Sequence, residues 1–176
     1  MAIGLERREE MRRYAVLGDF IRRTEPDAQR RLRLAVLGRP AWGRREDLSQ
    51  HVTFSAAIAV TAGRRAAEAA GMAKELRDAR SASGFSFADW CADRAGIMWA
   101  EQVKKGAVAL ETLAEGFETA DVLPKVEGLE EGLSWDEFSR LYGSTGDRRF
   151  RAVDADILGR IDRLYRLPLQ EGRARR

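Results

Sequence analysis

The stretch from residue 51 to residue 96 constrains the fold more than any other part of this chain. Ionisable and hydroxyl side chains recur in it three or four residues apart, among many alanines and glycines. The pairs are His51 with Ser55, Glu75 with Asp78, and Asp89 with Asp93. Because residues at these separations share one face of an α-helix, three short helices can each present a polar pair to a common centre.

Two of these predicted helices carry many small side chains. Ser55 and Ala59 belong to the first, and Ala92 and Gly96 belong to the second. Small residues allow two helix backbones to approach closely, so we expect these helices to pack against each other at the centre of the molecule.

The polar side chains on such central helices need partners, since an unpaired buried polar group costs free energy. We therefore predict one connected polar cluster, with partners also available from Arg80 and Arg94. A carboxylate beside an imidazole favours the charged ring, so the pKa of His51 is predicted to rise. The candidate members are His51, Ser55, Lys74, Glu75, Asp78, Ser86, Asp89 and Asp93.

The remaining sequence also favours helices. Prolines are few, helix-forming residues are abundant, and we find no alternating strand pattern and no repeat. Ser86 and Ser134, each followed three residues later by an acidic residue, predict two capping boxes. Predicted helices span residues 5–21, 26–38, 48–62, 66–80, 87–99 (to 117 if Gly106 does not break it), 135–142 and 150–167.

We therefore predict an all-α fold, with a central pair of helices rich in small residues. The chain is expected to form one domain of about six to eight helices over residues 1–168, followed by a flexible basic tail at 169–176. Residues 1–45 form an arginine-rich helical pair, residues 48–120 hold the polar residues, and residues 134–168 supply the C-terminal helices.

The charge and cysteine content bear on partners and compartment. The net charge of +3 is uneven, because arginines crowd the first 45 residues and the tail, which favours contact with nucleic acid, anionic lipid or an acidic partner. The single Cys91 excludes an internal disulfide and is expected to be buried. We see no signal peptide and no membrane-length apolar segment, so the sequence as written predicts a cytoplasmic protein.

Three interpretations of the polar residues compete. The first is structural: His51 bonds a carboxylate and Asp89 caps its helix. The second is a divalent metal site, but no close ligand spacing such as His-x-x-x-His is present, and we predict neither a metal nor a cofactor. The third is catalytic, with Glu75 as general acid or base or with a Ser55–His51 pair, although no nucleophile elbow is present.

The same stretch resembles a known family. The sequence His51…Ser55, Lys74-Glu75-x-x-Asp78 and Gly84-Phe85-Ser86-x-x-Asp89-x-x-x-Asp93-x-x-Gly96 is similar to the YfiM-like family of predicted periplasmic lipoproteins, and more distantly to VanZ-like membrane proteins. The resemblance is confined to residues 51–96. It implies a helical, envelope-associated protein in which these positions matter: His51, Lys74, Glu75, Asp78, Ser86, Asp89 and Asp93.

The sequence predicts a non-catalytic structural or interaction protein of a bacterial assembly or of the cell envelope. A protein partner or a second copy is expected to bind through the amphipathic helices at 5–21 and 103–117. The alternative is an envelope-directed hydrolase with Glu75 as general acid or base and His51 and Asp78 beside it. A second alternative is polyanion binding through the N-terminal arginines, although few aromatic residues are interleaved with them and no recognised nucleic-acid motif is present.

Overall fold

The computed structural model describes residues 25–37, 41–42, 44–107 and 119–166. Within these ranges the chain forms six α-helices, one turn of 3-10 helix and no β-strand, which confirms the all-α prediction. The helices are α1 (Asp27–Leu37), α2 (Glu46–Ala62), α3 (Arg64–Asp78), α4 (Phe87–Lys104), α5 (Trp135–Tyr142) and α6 (Arg148–Arg166). The 3-10 turn is Thr119–Asp121. The predicted helix at 5–21, most of that at 103–117 and the tail at 169–176 lie outside the described residues, and the domain boundaries stay predictions.

Helices α2 and α4 form the centre, and α3 packs against both of them. The contact between α2 and α4 is close because Gly96 faces the backbone of Val52, with no room for a side chain between them. The predicted central pair of helices rich in small residues is therefore confirmed.

A single residue, Gly63, joins α2 to α3. Its φ of 89° belongs to the left-handed half of backbone space, which glycine adopts without steric cost. The chain reverses there, so α3 lies back along α2. Ala67, Gly71 and Glu75 follow at intervals of four residues and are all buried, which defines the inner face of α3.

Serine caps begin two of the helices. The Ser86 hydroxyl accepts a hydrogen bond from the amide of Asp89 at the start of α4. Ser134 and Glu137 form a complete capping box at the start of α5, as predicted. The capping box predicted at Ser86 is only half formed, because the Asp89 carboxylate turns towards His51 instead of returning to the Ser86 amide.

The C-terminal end of α4 excludes the longer helix, 87–117, that the sequence left open. The helix stops at Lys104, shortly before Gly106, so residues 87–117 do not form one unbroken helix. Among the described helices, none is long and apolar enough to cross a membrane.

The outer face of α4 is covered by α6, and α5 packs on α6. Four phenylalanine rings meet in this layer, with ring centroids of Phe85 and Phe138 4.6 Å apart and those of Phe87 and Phe150 5.5 Å apart. Such aromatic contacts add to the free energy gained by apolar burial. Cys91 is fully buried in the same core, which confirms the prediction made for it.

Candidate functional site

His51 lies on the inner face of α2, and its side chain is 8% exposed. Both ring nitrogens meet carboxylates of α4. Nδ1 lies 3.0 Å from Asp93 Oδ1, and Nε2 lies 3.2 Å from Asp89 Oδ2. A carboxylate only accepts hydrogen bonds, so both contacts are satisfied when the imidazole carries a proton on each nitrogen.

The charge state of His51 follows from these contacts. Burial by itself would lower its pKa, but the hydrogen bonds to Asp89 and Asp93 and their negative charges outweigh burial and raise the pKa to about 10. The ring is therefore an imidazolium near neutral pH, held between two carboxylates.

Ser55 lies one turn after His51 on α2 and joins the same cluster. Its hydroxyl donates to Asp93 Oδ1 over 2.5 Å. Among the described residues no hydrogen bond links Ser55 directly to His51, because Asp93 lies between them and accepts from both. The Ser55–His51 nucleophilic pair stays a prediction.

Glu75 has no exposed surface in its side chain. Its Oε1 accepts from Lys74 Nζ over 2.9 Å, and its Oε2 accepts from the Ser86 amide over 3.1 Å. Burial raises the pKa of the Glu75 carboxyl, and the ammonium of Lys74 opposes part of that rise. The carboxyl thus ties α3 to the residue that precedes α4.

Lys74 connects the remaining acids. Its Nζ lies 2.8 Å from Asp78 Oδ2 and 4.0 Å from Asp89 Oδ2. Through these contacts α2, α3 and α4 share one polar network, and the predicted buried cluster is confirmed for His51, Glu75 and Asp93. All eight candidate residues belong to this network.

The cation partners differ in part from the prediction. Arg94, one residue after Asp93, faces a different side of α4 and bonds Glu68 and Asp154. Arg80 lies over the ring of Trp135, 3.6 Å from its centroid. Arg94 faces away from the cluster because successive helical residues point about 100° apart, and Arg80 lies beyond the end of α3.

The sequence did not predict two residues at the solvent-facing edge of the cluster, Arg45 and Glu131. Arg45 Nη2 lies 3.6 Å from Asp89 Oδ1 and 2.7 Å from Glu131 Oε2. Arg45 also pairs with Asp47. Arg45 and Glu131 are each more than forty residues from Asp89 in sequence, and no helical spacing links them to it.

The cluster is closed to solvent at its centre and open at one side. Glu75 and Asp93 are buried, whereas Asp89 and Asp78 are 15% and 17% exposed. Two clefts of about 220 Å³ each are lined by none of the eight candidate residues, although Arg45 borders the first of them. One is lined by residues that include Trp42, Arg45, Leu48 and Pro124, and the other includes Gly63, Ala100 and Lys104.

His51, Glu75 and Asp93 are also the side chains that could hold a metal ion. Each offers one ligand atom, and the three atoms all lie within 4.8 Å of one another. One nitrogen and two oxygens from three different helices make a small, mixed ligand set.

We compared the chain with protein-family models, with curated proteins and with solved structures, and none of the three comparisons gave a match.

Proposed function

We propose that the protein is a non-catalytic structural or interaction protein, in which the polar cluster fixes the packing of α2, α3 and α4. One observation carries this proposal: the Glu75 side chain has no exposed surface, and both of its carboxylate oxygens already accept hydrogen bonds within the protein. A group in this state cannot meet a substrate without local opening.

The same observation counts against the hydrolase alternative. A general acid or base must come within hydrogen-bond reach of the atom that exchanges the proton. Glu75 is enclosed, both nitrogens of His51 face carboxylates, and Asp78 is held by Lys74. None of the three presents a free atom to a cleft described above.

Binding to a protein partner or to a second copy is supported by the surface of α1. Leu32 and Val36 lie four residues apart on it and are 66% and 73% exposed, so they share one apolar face. Paired exposed aliphatic side chains are common at protein contacts when they form a patch. A location in a bacterial assembly or at the cell envelope is supported by the family resemblance of residues 51–96.

The polyanion alternative is weakened by three of the five described arginines in the first 45 residues. Arg30 is 4% exposed, Arg33 forms two hydrogen bonds with Glu25, and Arg45 pairs with Asp47 and Glu131. Paired or buried guanidinium groups have little charge left for a phosphate backbone.

The experiment that tests the proposal compares the wild-type protein with Glu75→Gln. Both are incubated with bacterial sacculi and with phospholipid vesicles, and released products are measured together with the melting temperature. We expect no turnover by either protein and a lower melting temperature for Glu75→Gln, because the ion pair with Lys74 is lost. Wild-type turnover that disappears in a folded Glu75→Gln variant would contradict the proposal.

The contact surface has its own test. The double substitution Leu32→Ser with Val36→Ser is compared with Val60→Ser, which changes an apolar residue that is 55% exposed on α2. We expect the α1 variant to lose self-association or partner cross-links that the Val60→Ser control retains. Equal behaviour of the two variants would show that α1 is not the contact surface.

A further inference from the structure

We propose that His51, Glu75 and Asp93 bind a divalent transition-metal ion that holds α2, α3 and α4 together. This site goes beyond the proposed function, since a structural protein need not bind a metal. The proposal is carried by the positions of the three side chains and by one oxygen atom without a partner.

The positions come close to those of ligands around a single ion. The three ligand atoms lie within 4.8 Å of one another. Zinc binds imidazole nitrogen and carboxylate oxygen at about 2.0–2.2 Å in a tetrahedral arrangement, so two of its ligand atoms are roughly 3.4 Å apart. Side-chain movements of about 1 Å, within reach of rotations about the side-chain bonds, would therefore close the three groups around an ion.

The second observation is a buried carboxylate oxygen. Asp93 Oδ1 accepts hydrogen bonds from His51 and Ser55, but no donor among the described residues reaches Asp93 Oδ2. The Asp93 side chain is only 4% exposed. A buried acceptor without a partner costs free energy, and a bound cation would remove that cost.

This free oxygen lies against the inner face of α3. A Cβ built on Gly71 would come within 2.5 Å of Asp93 Oδ2, so the glycine provides the space that the oxygen occupies. Glu75 follows Gly71 by one helical turn on the same face. The unpartnered oxygen is thus turned towards the helix that carries the Glu75 ligand.

The charge around the site also favours a cation. Four carboxylates meet here, those of Glu75, Asp78, Asp89 and Asp93, with the ammonium of Lys74 and the imidazolium of His51 among them. When an ion binds, one imidazole nitrogen releases its proton to solvent and takes the ion instead. The other nitrogen keeps its carboxylate, which is the usual partner of a metal-bound histidine.

The ligand types select the ion. One imidazole with carboxylates suits zinc, manganese or ferrous iron better than calcium, which prefers oxygen ligands only. The single thiol, Cys91, is not an alternative zinc ligand, because it is fully buried in the core, where its charged neighbours are Arg160 and Asp156 of α6. We choose zinc as the probe because Zn²⁺ is not oxidised or reduced during the measurement.

The test uses the full chain without a histidine tag, stripped with chelator and titrated with zinc sulfate by calorimetry. We expect one zinc per chain and a higher melting temperature with zinc. Asp93→Asn should weaken binding at least tenfold. The matched control is Asp154→Asn, because Asp154 is another partly buried carboxylate of the fold, bonded to Trp90 and Arg94. Equal zinc affinity of Asp93→Asn and the control overturns the proposal.

A second measurement needs no variant and so does not depend on variant folding. His51 is the only histidine of the chain, so its ring gives a single set of imidazole resonances. One equivalent of zinc should shift those resonances and remove the exchangeable proton of one ring nitrogen. Zinc that binds while the His51 resonances stay unchanged is held by surface acids, and that result overturns the site.

Discussion

Gly96 of α4 lies directly against the main chain of Val52 on α2. A Cβ on Gly96 would sit 2.8 Å from the carbonyl carbon of Val52 and 2.9 Å from its Cα, and it would overlap the carbonyl oxygen. These are backbone atoms, so no side-chain rotation can make room. The two central helices keep their separation only while this position has no side chain.

Gly96→Ala should therefore lower the free energy of unfolding by about 2 kcal/mol, and Gly96→Leu by more, because the inserted atoms force α2 and α4 apart. Denaturant titration at fixed pH measures this loss.

Gly159→Ala is the matched control. Gly159 lies within α6, and a Cβ there meets nothing closer than 3.9 Å. Alanine is the better helix former, so this change should raise stability by up to about 1 kcal/mol. If both substitutions had the same effect, the contact between Gly96 and Val52 would not be the cause.

His51→Ala should cost roughly 2–4 kcal/mol near pH 6, because Asp89 and Asp93 lose the cation that lies between them. The measurement is denaturant unfolding of both proteins in the presence of a chelator. An unchanged free energy of unfolding would mean that the cluster contributes nothing to stability.

The cost of His51→Ala should depend on pH. The pKa of His51 rises from an ordinary value of 6.5 to about 10 on folding, so the imidazolium stabilises the fold fully below pH 6.5. That stabilisation is lost as the pH rises from 6.5 through 10. Asp89 and Asp93 face the ring from α4, and Glu75 and Lys74 lie beside it on α3.

Glu75 changes stability with pH in the same sense as His51. Its pKa is raised in the folded protein, so its contribution to the free energy of unfolding also falls as the pH rises. The charge of His51 lowers the pKa of Glu75, so the Glu75 contribution is larger in His51→Ala and cancels only in part. We expect the difference in free energy of unfolding between wild type and His51→Ala to shrink steadily above pH 6.5. A difference that grows with pH would mean that His51 is neutral in the folded protein.

Ser86→Ala should cost about 1 kcal/mol through loss of the cap on the Asp89 amide. Ser134→Ala is the comparison, because Ser134 caps the shorter, more exposed helix α5. We expect the larger loss of thermal stability at Ser86, which is 7% exposed and borders the cluster. Equal losses would show that the cluster adds nothing to this cap.

The protein should leave a heparin column at low salt, together with a neutral control protein. Of the five described arginines in the first 45 residues, Arg30 is buried and Arg33 and Arg45 pair with acids, so only Arg31 and Arg44 are exposed. Binding to a polyanion depends on many accessible cationic groups. Retention up to high salt would restore the polyanion alternative, with its site on Arg31, Arg44 or the arginines outside the described residues.

Local spacing was enough to predict much of the fold. The small residues around Ser55 and Gly96 indicated the central pair of helices, and Ser134 indicated the start of α5. The buried association of His51, Glu75 and Asp93 followed from the cost of leaving polar groups unpaired on central helices.

The sequence did not predict which residues form the hydrogen bonds and ion pairs of the cluster. The Ser86 amide bonds Glu75 on α3, although the local pattern favoured Asp89. Arg45 reaches Asp89 from the residue before α2, and this depends on how three helices cross. Helical periodicity states which face a residue occupies, but it does not state which distant residue meets that face.

Because Cys91 is buried, the reaction of its thiol with an added reagent reports on transient opening of the core. The thiol lies on α4 and is fully buried in the core, and burial raises its pKa to about 12. Thiol reagents attack the deprotonated form, so the folded chain should resist alkylation at neutral pH. The alkylation rate then measures how often the core is transiently exposed, which allows every variant above to be ranked without denaturant.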